Sequence, residues 1–257
     1  MKKLLLSVAT VIAVSSAWAV PGIIRSKNGD VKKGDIKWLN SSQSYELKSG
    51  NITVTLKKSD VESLEIAKPK NFDNLVKSVQ GGAPGSAIDG LTKIVKEYTM
   101  LQWDNAASRY LVEAYLQMNN PQKAYSAARV VIEADKDSTP AYSGELAPAY
   151  WQTLLALGKK SELENCLRMA VKQGSRPLSA EALLMRGDII LKEGGESPEA
   201  HKKALIEAYL KVALMYNDVD CVAQRVKACE KSAVSLNAVG MSSEAQRMKD
   251  DAATLSK

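Results

Sequence analysis

The stretch YLQMNNPQKAYSAA, residues 115–128, decides the reading of this chain. Tyr115 stands four positions before Asn119, Pro121 follows the Asn119-Asn120 pair, and Ala124 and Ala128 recur at helical spacing beyond it. A small or left-handed residue lets one helix end and the chain turn back. Proline suits the first turn of the next helix, where its missing N–H costs nothing. The alanines then allow close approach, and the large residue fills the groove between the two helices. The stretch predicts a helical hairpin.

The same arrangement recurs outward in both directions. Gly82, Asn119, Gly158, Gly195 and Gly240 are breaks spaced 37, 39, 37 and 45 residues apart. Four positions before a break stand Tyr115, Leu154, Leu191 and Leu236, and five positions after it stand Ala87, Ala124, Leu163, Ala200 and Ala245. Twelve after it stand Ile94, Val131, Ala170 and Ala252, while the fourth unit has Glu207 and slips. Each hairpin leaves an apolar face that only the next hairpin can cover, which is the physical logic of a solenoid. Polar segments 135–144 and 173–180 are expected to separate larger units.

This pattern resembles tetratricopeptide (TPR) repeats over about residues 72–255. Trp151, Leu154, Gly158, Leu163 and Ala170 repeat it, as do Ala233, Leu236, Gly240, Ala245 and Ala252. Two features depart from the family. The spacing is nearer 40 than that family's 34, and no unit carries the proline that closes the family's second helix. The resemblance implies protein–protein binding in a groove lined by first helices, and it brings no catalytic residue. By repeat position it points to Arg109, Glu113, Leu116, Gln152 and Leu155 as partner-binding side chains.

Residues 22–68 have the period of strands instead. Asn28-Gly29 and Ser49-Gly50-Asn51 are tight-turn signals. Ile52, Val54 and Leu56 alternate onto one face. Five short strands joined by tight turns suggest a small barrel, and their order resembles SH3-like modules. The expected fold class is therefore mostly α: a TPR-like α-solenoid of about five hairpins preceded by a small all-β, barrel-like module. The expected domains are a β module over 20–70 and a helical repeat domain over 71–257.

Residues 1–19 have another character. Lys2 and Lys3 precede an uncharged apolar run from Leu4 to Val14, and Ala17-Trp18-Ala19 supplies small residues for cleavage. That is the pattern of a secretory signal peptide, cut after Ala19. The run is too short to span a bilayer. The expectation is an exported, periplasmic or secreted chain with no transmembrane segment after cleavage. The whole chain also resembles exported bacterial repeat proteins that place a small β module before the helices.

The net charge is +6, and removing Lys2 and Lys3 leaves +4. Residues 20–70 hold 10 Lys and Arg against 6 Asp and Glu, whereas residues 71–257 hold 23 of each. The excess therefore lies in the β module, where Trp38 and Tyr45 form a candidate aromatic surface for a cell-wall polymer. A module this small needs every large apolar group, so completing its core is the stronger reading of the same two residues.

Ready-made catalytic chemistry is sparse. His201 is the single histidine and reads as solvated. Cys166, Cys221 and Cys229 read as buried free thiols; Cys221 and Cys229 fall in one expected helix, too far apart for a disulfide, so any bridge would join Cys166 to one of them or require Cys221 to lie outside the helix. Arg186-Gly187-Asp188 spells an adhesion tripeptide, but it lies inside a helical run where Gly187 serves close packing. No phosphate loop or G-x-S-x-G elbow occurs. No catalytic residue, metal site, cofactor or nucleic-acid interface is expected. The expected function is a non-enzymatic adaptor or scaffold that holds another envelope protein or peptide.

Overall fold

The computed structural model describes residues 19–256, so the expected signal peptide lies outside the described residues except for Ala19. The chain divides into two compact units, one ending at Ala67 and the other running from Lys68 to the C-terminus.

The first unit holds five antiparallel strands: β1 (Val20–Ser26), β2 (Val31–Leu39), β3 (Ser44–Ser49), β4 (Ile52–Lys57) and β5 (Val61–Ile66). A 3-10 turn, Lys58–Asp60, lies between β4 and β5. Gly29 and Gly50 adopt φ of 89° and 58° at the turns that the sequence marks. The strand order is β4-β3-β2-β1-β5. β4 and β5 thus end the sheet on opposite sides, with no ladder between them among the described residues, and the expected barrel does not close through main-chain bonds. The register puts Ile24, Ile36, Tyr45, Leu47 and Ile66 on one face, and all five are buried.

The second unit is helical. Its helices are α1 (Phe72–Gln80), α2 (Ile88–Glu97), α3 (Trp103–Gln117), α4 (Pro121–Ala134), α5 (Leu146–Ala156), α6 (Lys160–Gln173) and α7 (Arg176–Glu193). There follow α8 (Pro198–Ala204), α9 (Leu210–Met215), α10 (Val222–Ala238) and α11 (Ser242–Leu255). Pro121 and Pro198 both occupy first turns, as their chemistry favours. The expected polar separator at 173–180 is mostly helix: α7 starts at Arg176 with Pro177 in its first turn, so only Gly174 and Ser175 stand between α6 and α7.

All five predicted breaks have left-handed backbone: φ is 81° at Gly82, 54° at Asn119, 66° at Gly158, 60° at Gly195 and 81° at Gly240. After each break the next N–H returns to the carbonyl four residues before it. Ala83 reaches Ser78, Asn120 reaches Tyr115, Lys159 reaches Leu154, Glu196 reaches Leu191 and Met241 reaches Leu236, at 2.9–3.0 Å. These are six-to-one closures of the Schellman type, which satisfy carbonyls that a helix end would leave bare. The residue five beyond each break, Ala87, Ala124, Leu163, Ala200 and Ala245, is buried in every unit.

The slip in the fourth unit has a structural cause. Leu205–Tyr209 forms a π-turn between α8 and α9, closed by Leu210 N–H donating to the Leu205 carbonyl. One extra residue enters the helix, so Ala208 takes the buried place that Glu207 would have held. Ala200, Ala204, Ala208 and Val212 are all buried, as are His201, Leu205, Tyr209 and Ala213. Strict spacing by four drifts about 40° per step around an ordinary helix of 3.6 residues per turn, and the wider turn absorbs that drift.

The core runs through the helical unit in neighbouring clusters joined at α7. Leu178, Ala182 and Met185 pack toward the N-terminal helices, while Ala180, Leu183 and Leu184 pack toward the C-terminal ones. A helix buried on two sides loses the one-sided pattern of a surface helix. Among the described residues no helix is long and apolar enough to cross a membrane.

Candidate functional site

In each hairpin the first helix also touches the first helix of the next: α3 meets α5, α5 meets α7, and α7 meets α10. From the second hairpin on, that packing leaves two repeat positions reachable from solvent, whereas in the first the matching Val79 is buried. Six before the break stand Glu113, Gln152, Ile189 and Val234, and three before it stand Leu116, Leu155, Lys192 and Asn237. None of the eight is buried, although their neighbours Ala114, Thr153, Ala233 and Ser235 are. The stripe mixes apolar, amide and charged groups, with Val234 63% exposed.

The five residues singled out in the sequence fall into different surroundings. Arg109 donates through Nε to Glu113 Oε1 at 2.9 Å and lies 3.8 Å from Glu145 Oε2, just before α5. Its guanidinium also sits over the Tyr110 ring at 5.0 Å. Desolvation opposes its charge, but Glu113 prevails and its pKa is raised. Arg109 thus ties α3 to the start of α5 and is less free than its repeat position suggests. Gln152 is exposed, and Leu116 is half-buried against the edge of the core.

Leu155 lines a groove of about 740 Å³ with Leu154, Leu163, Ile189, Lys160 and Lys192. Sequence reasoning missed Ile189 and Lys192, although the repeat register already placed them in line with Gln152 and Leu155. Lys160 bridges to Glu193 at 2.7 Å beside this groove.

Other polar groups hold hairpins to one another. Glu162 accepts from the Tyr150 hydroxyl and lies 3.6 Å from Arg129 Nη1 and 3.8 Å from Lys159 Nζ. Burial, followed by Glu162, pushes the Tyr150 hydroxyl well above the ordinary phenol range. Burial also pushes the Cys166 thiol up to about 12. Such a thiol is inert as a nucleophile, and all three cysteines are free and buried. Cys221 caps the start of α10 in a short 3-10 turn, so it lies outside the helix that holds Cys229.

One further expectation changes. His201 is buried, not solvated, with Nδ1 3.0 Å from Ser235 Oγ. A polar partner on α10 makes that burial tolerable. In the β unit Tyr45 is buried, so of the aromatic pair only Trp38 is partly exposed, with ring centroids 4.8 Å apart. Arg186-Gly187-Asp188 lies within α7, where Asp188 accepts from Tyr209 Oη and Lys231 Nζ, both at 2.7 Å. Among the described residues no group of three or more His, Cys, Asp or Glu could hold a metal ion.

No family model and no curated protein matches this sequence. Solved structures do. A variant of a Podosopora anserina putative kinesin light chain with nearly identical TPR-like repeats aligns over 72% of this chain and 92% of its own, at 16% identity and a TM-score of 0.50. The helical unit is TPR-like in fold. The unsubstituted form of that protein aligns over the same shares with a TM-score of 0.48, and MamA over 70% of this chain and 92% of its own with 0.41, both at 16% identity. At that identity the likeness concerns the TPR-like fold and no specific ligand.

Proposed function

We propose that this protein is a non-enzymatic scaffold that binds another protein along the first helices of its TPR-like unit. The observation that carries the reading is the repeated stripe, Glu113 and Leu116, Gln152 and Leu155, Ile189 and Lys192, Val234 and Asn237. The core does not use these positions fully, yet they recur in register through successive hairpins. A stripe of this kind gives a partner apolar anchors from Leu155, Ile189 and Val234, with polar groups between them to fix register. Export by the segment 1–19 belongs to the same proposal and places the partner in the cell envelope. The first unit fits an SH3-like module: β5 returns to β1, and a 3-10 turn precedes the last strand.

The test is capture of envelope proteins by the Gln152→Arg, Lys192→Glu double variant. Both side chains are exposed, so helicity and melting temperature stay at wild-type values while capture falls. Undiminished capture removes the stripe as the binding surface.

One observation favours a second reading, contact with an acidic wall polymer. The sheet register places Arg25, Lys33, Lys37, Lys48 and Lys57 on one face. Arg25 pairs with Glu65 at 2.9 Å and Lys37 with Glu46 at 2.7 Å. Lys33, Lys48 and Lys57 form no ion pair among the described residues. Sedimentation of the full-length protein with purified wall, compared with a Lys33→Glu, Lys48→Glu variant, decides this reading. Equal sedimentation of the two removes it.

A further inference from the structure

We infer that the free edge of β4 pairs antiparallel with β4 of a second copy of this chain, continuing the sheet across a two-fold axis centred on Val54. β4 is hydrogen-bonded on one side only, to β3. The two-residue turn at Gly50 and Asn51 closes on the Ser49–Ile52 pair, so Ile52, Val54 and Leu56 point their main-chain groups at β3. The N–H and C=O groups of Thr53 and Thr55 therefore face outward. Unpaired edges of this kind are templates for another strand.

The edge is complementary to itself. With Val54 opposite Val54 of the copy, Thr53 faces Thr55 and Thr55 faces Thr53. Both threonines then exchange hydrogen bonds with each other, and the Val54 pair falls at the close, non-hydrogen-bonded position. Ile52 meets Leu56 on the apolar face, which covers the 68% exposed Ile52. Threonine meets threonine on the opposite face, a favourable cross-strand pair. Lys57, the one charged residue of β4, falls opposite Asn51, so no like charges oppose each other. The devices that usually blunt an edge, a proline, a bulge or an inward charge, are missing from Ile52–Lys57.

The test uses the purified full-length protein in sedimentation equilibrium. Wild type should show a reversible dimer. Thr55→Pro removes an outward N–H while leaving the ladder to β3 intact, a position where edge strands tolerate proline. It should be monomeric with an unchanged circular dichroism spectrum. A Thr53→Lys, Thr55→Lys variant, which sets lysines opposite each other, should behave alike if the proline perturbs folding. Val54→Cys should oxidise to a covalent dimer, because directly opposed Cα atoms about 4.5 Å apart lie within disulfide range. The native cysteines are buried and do not compete. A protein that stays monomeric at every soluble concentration overturns the inference. So does a dimer that survives Thr55→Pro and leaves Val54→Cys uncrosslinked.

Discussion

The ring of Tyr209 lies flat against the backbone of Gly187, so close that a Cβ at that position would stand 2.3 Å from Cε1. The ring is held there by its hydroxyl, which donates to Asp188, the next residue of α7, while Lys231 approaches the same carboxylate. α7 thus receives the helix that carries Tyr209 through a notch one residue wide.

Gly187→Ala should therefore destabilise the protein despite the better helix propensity of alanine. Overpacking costs about 1–3 kcal/mol, whereas the propensity gain is at most about 1 kcal/mol. Urea denaturation should show a lower midpoint with little change in slope. A raised midpoint would mean that Tyr209 moves aside freely.

Deleting Ile206 should leave that contact in place. Ile206 is 68% exposed, so its side chain contributes little to the core. Its removal turns the π-turn into ordinary helix, and the residues beyond it keep their orientation because the wider turn had absorbed one extra residue. Tyr209 and Val212 keep their buried places, and the melting temperature should stay near that of wild type. Lys211 is exposed too but lies in α9, beyond the π-turn. Deleting it rotates Val212 and Ala213 by about 100° away from the core and should lower the melting temperature sharply. Equal behaviour of the two deletions would show that the π-turn accommodates no extra residue.

Ser235→Ala should strand His201. The imidazole Nδ1 has Ser235 Oγ as its partner at 3.0 Å, and both residues are buried. Leaving a buried polar group unpaired costs about 1–3 kcal/mol. Denaturant melts should show a loss of that order. No loss would mean that the ring finds another partner.

Asp104 gives the fold a pH dependence of unusual sign. Burial raises its carboxyl from 3.8 to about 6, against hydrogen bonds from the Met100 and Asn105 N–H groups, with a further push from Asp135. Between those pH values the native state keeps a proton that the unfolded chain has lost. The stability this group contributes is fully present below about pH 4 and is lost as pH rises through about 6. The full span corresponds to about 3 kcal/mol. Asp104→Asn should remove that slope, so the difference in stability between wild type and variant changes steadily from pH 4 to pH 7. A constant difference would contradict the raised value.

Much of this was legible in the sequence because the determining signals are local. A break residue that must adopt positive φ, as at Gly240 or Asn119, announces itself by type, and the alanine five beyond it follows from helix contact. Gly187 inside an apolar helical run pointed to close packing, and the Tyr209 ring supplies it. What escaped depends on partners distant in sequence. His201 looked solvated because its neighbours Glu199, Lys202 and Lys203 are charged, and Ser235 lies 34 residues away. Arg109 looked available for a ligand, yet Glu145 engages it across two helices. The openness of the sheet was hidden because strand count and turn spacing do not state whether β4 reaches β5.

The central claim is that first helices hold a protein partner, and photo-crosslinking in the living cell tests it most directly. A crosslinking amino acid replaces Gln152 or Val234 on the stripe, or Arg168 on the exposed face of α6, a second helix. The account predicts that the two stripe positions yield adducts with the same protein and that position 168 yields none. Adducts from 168 with none from 152 or 234 would contradict it.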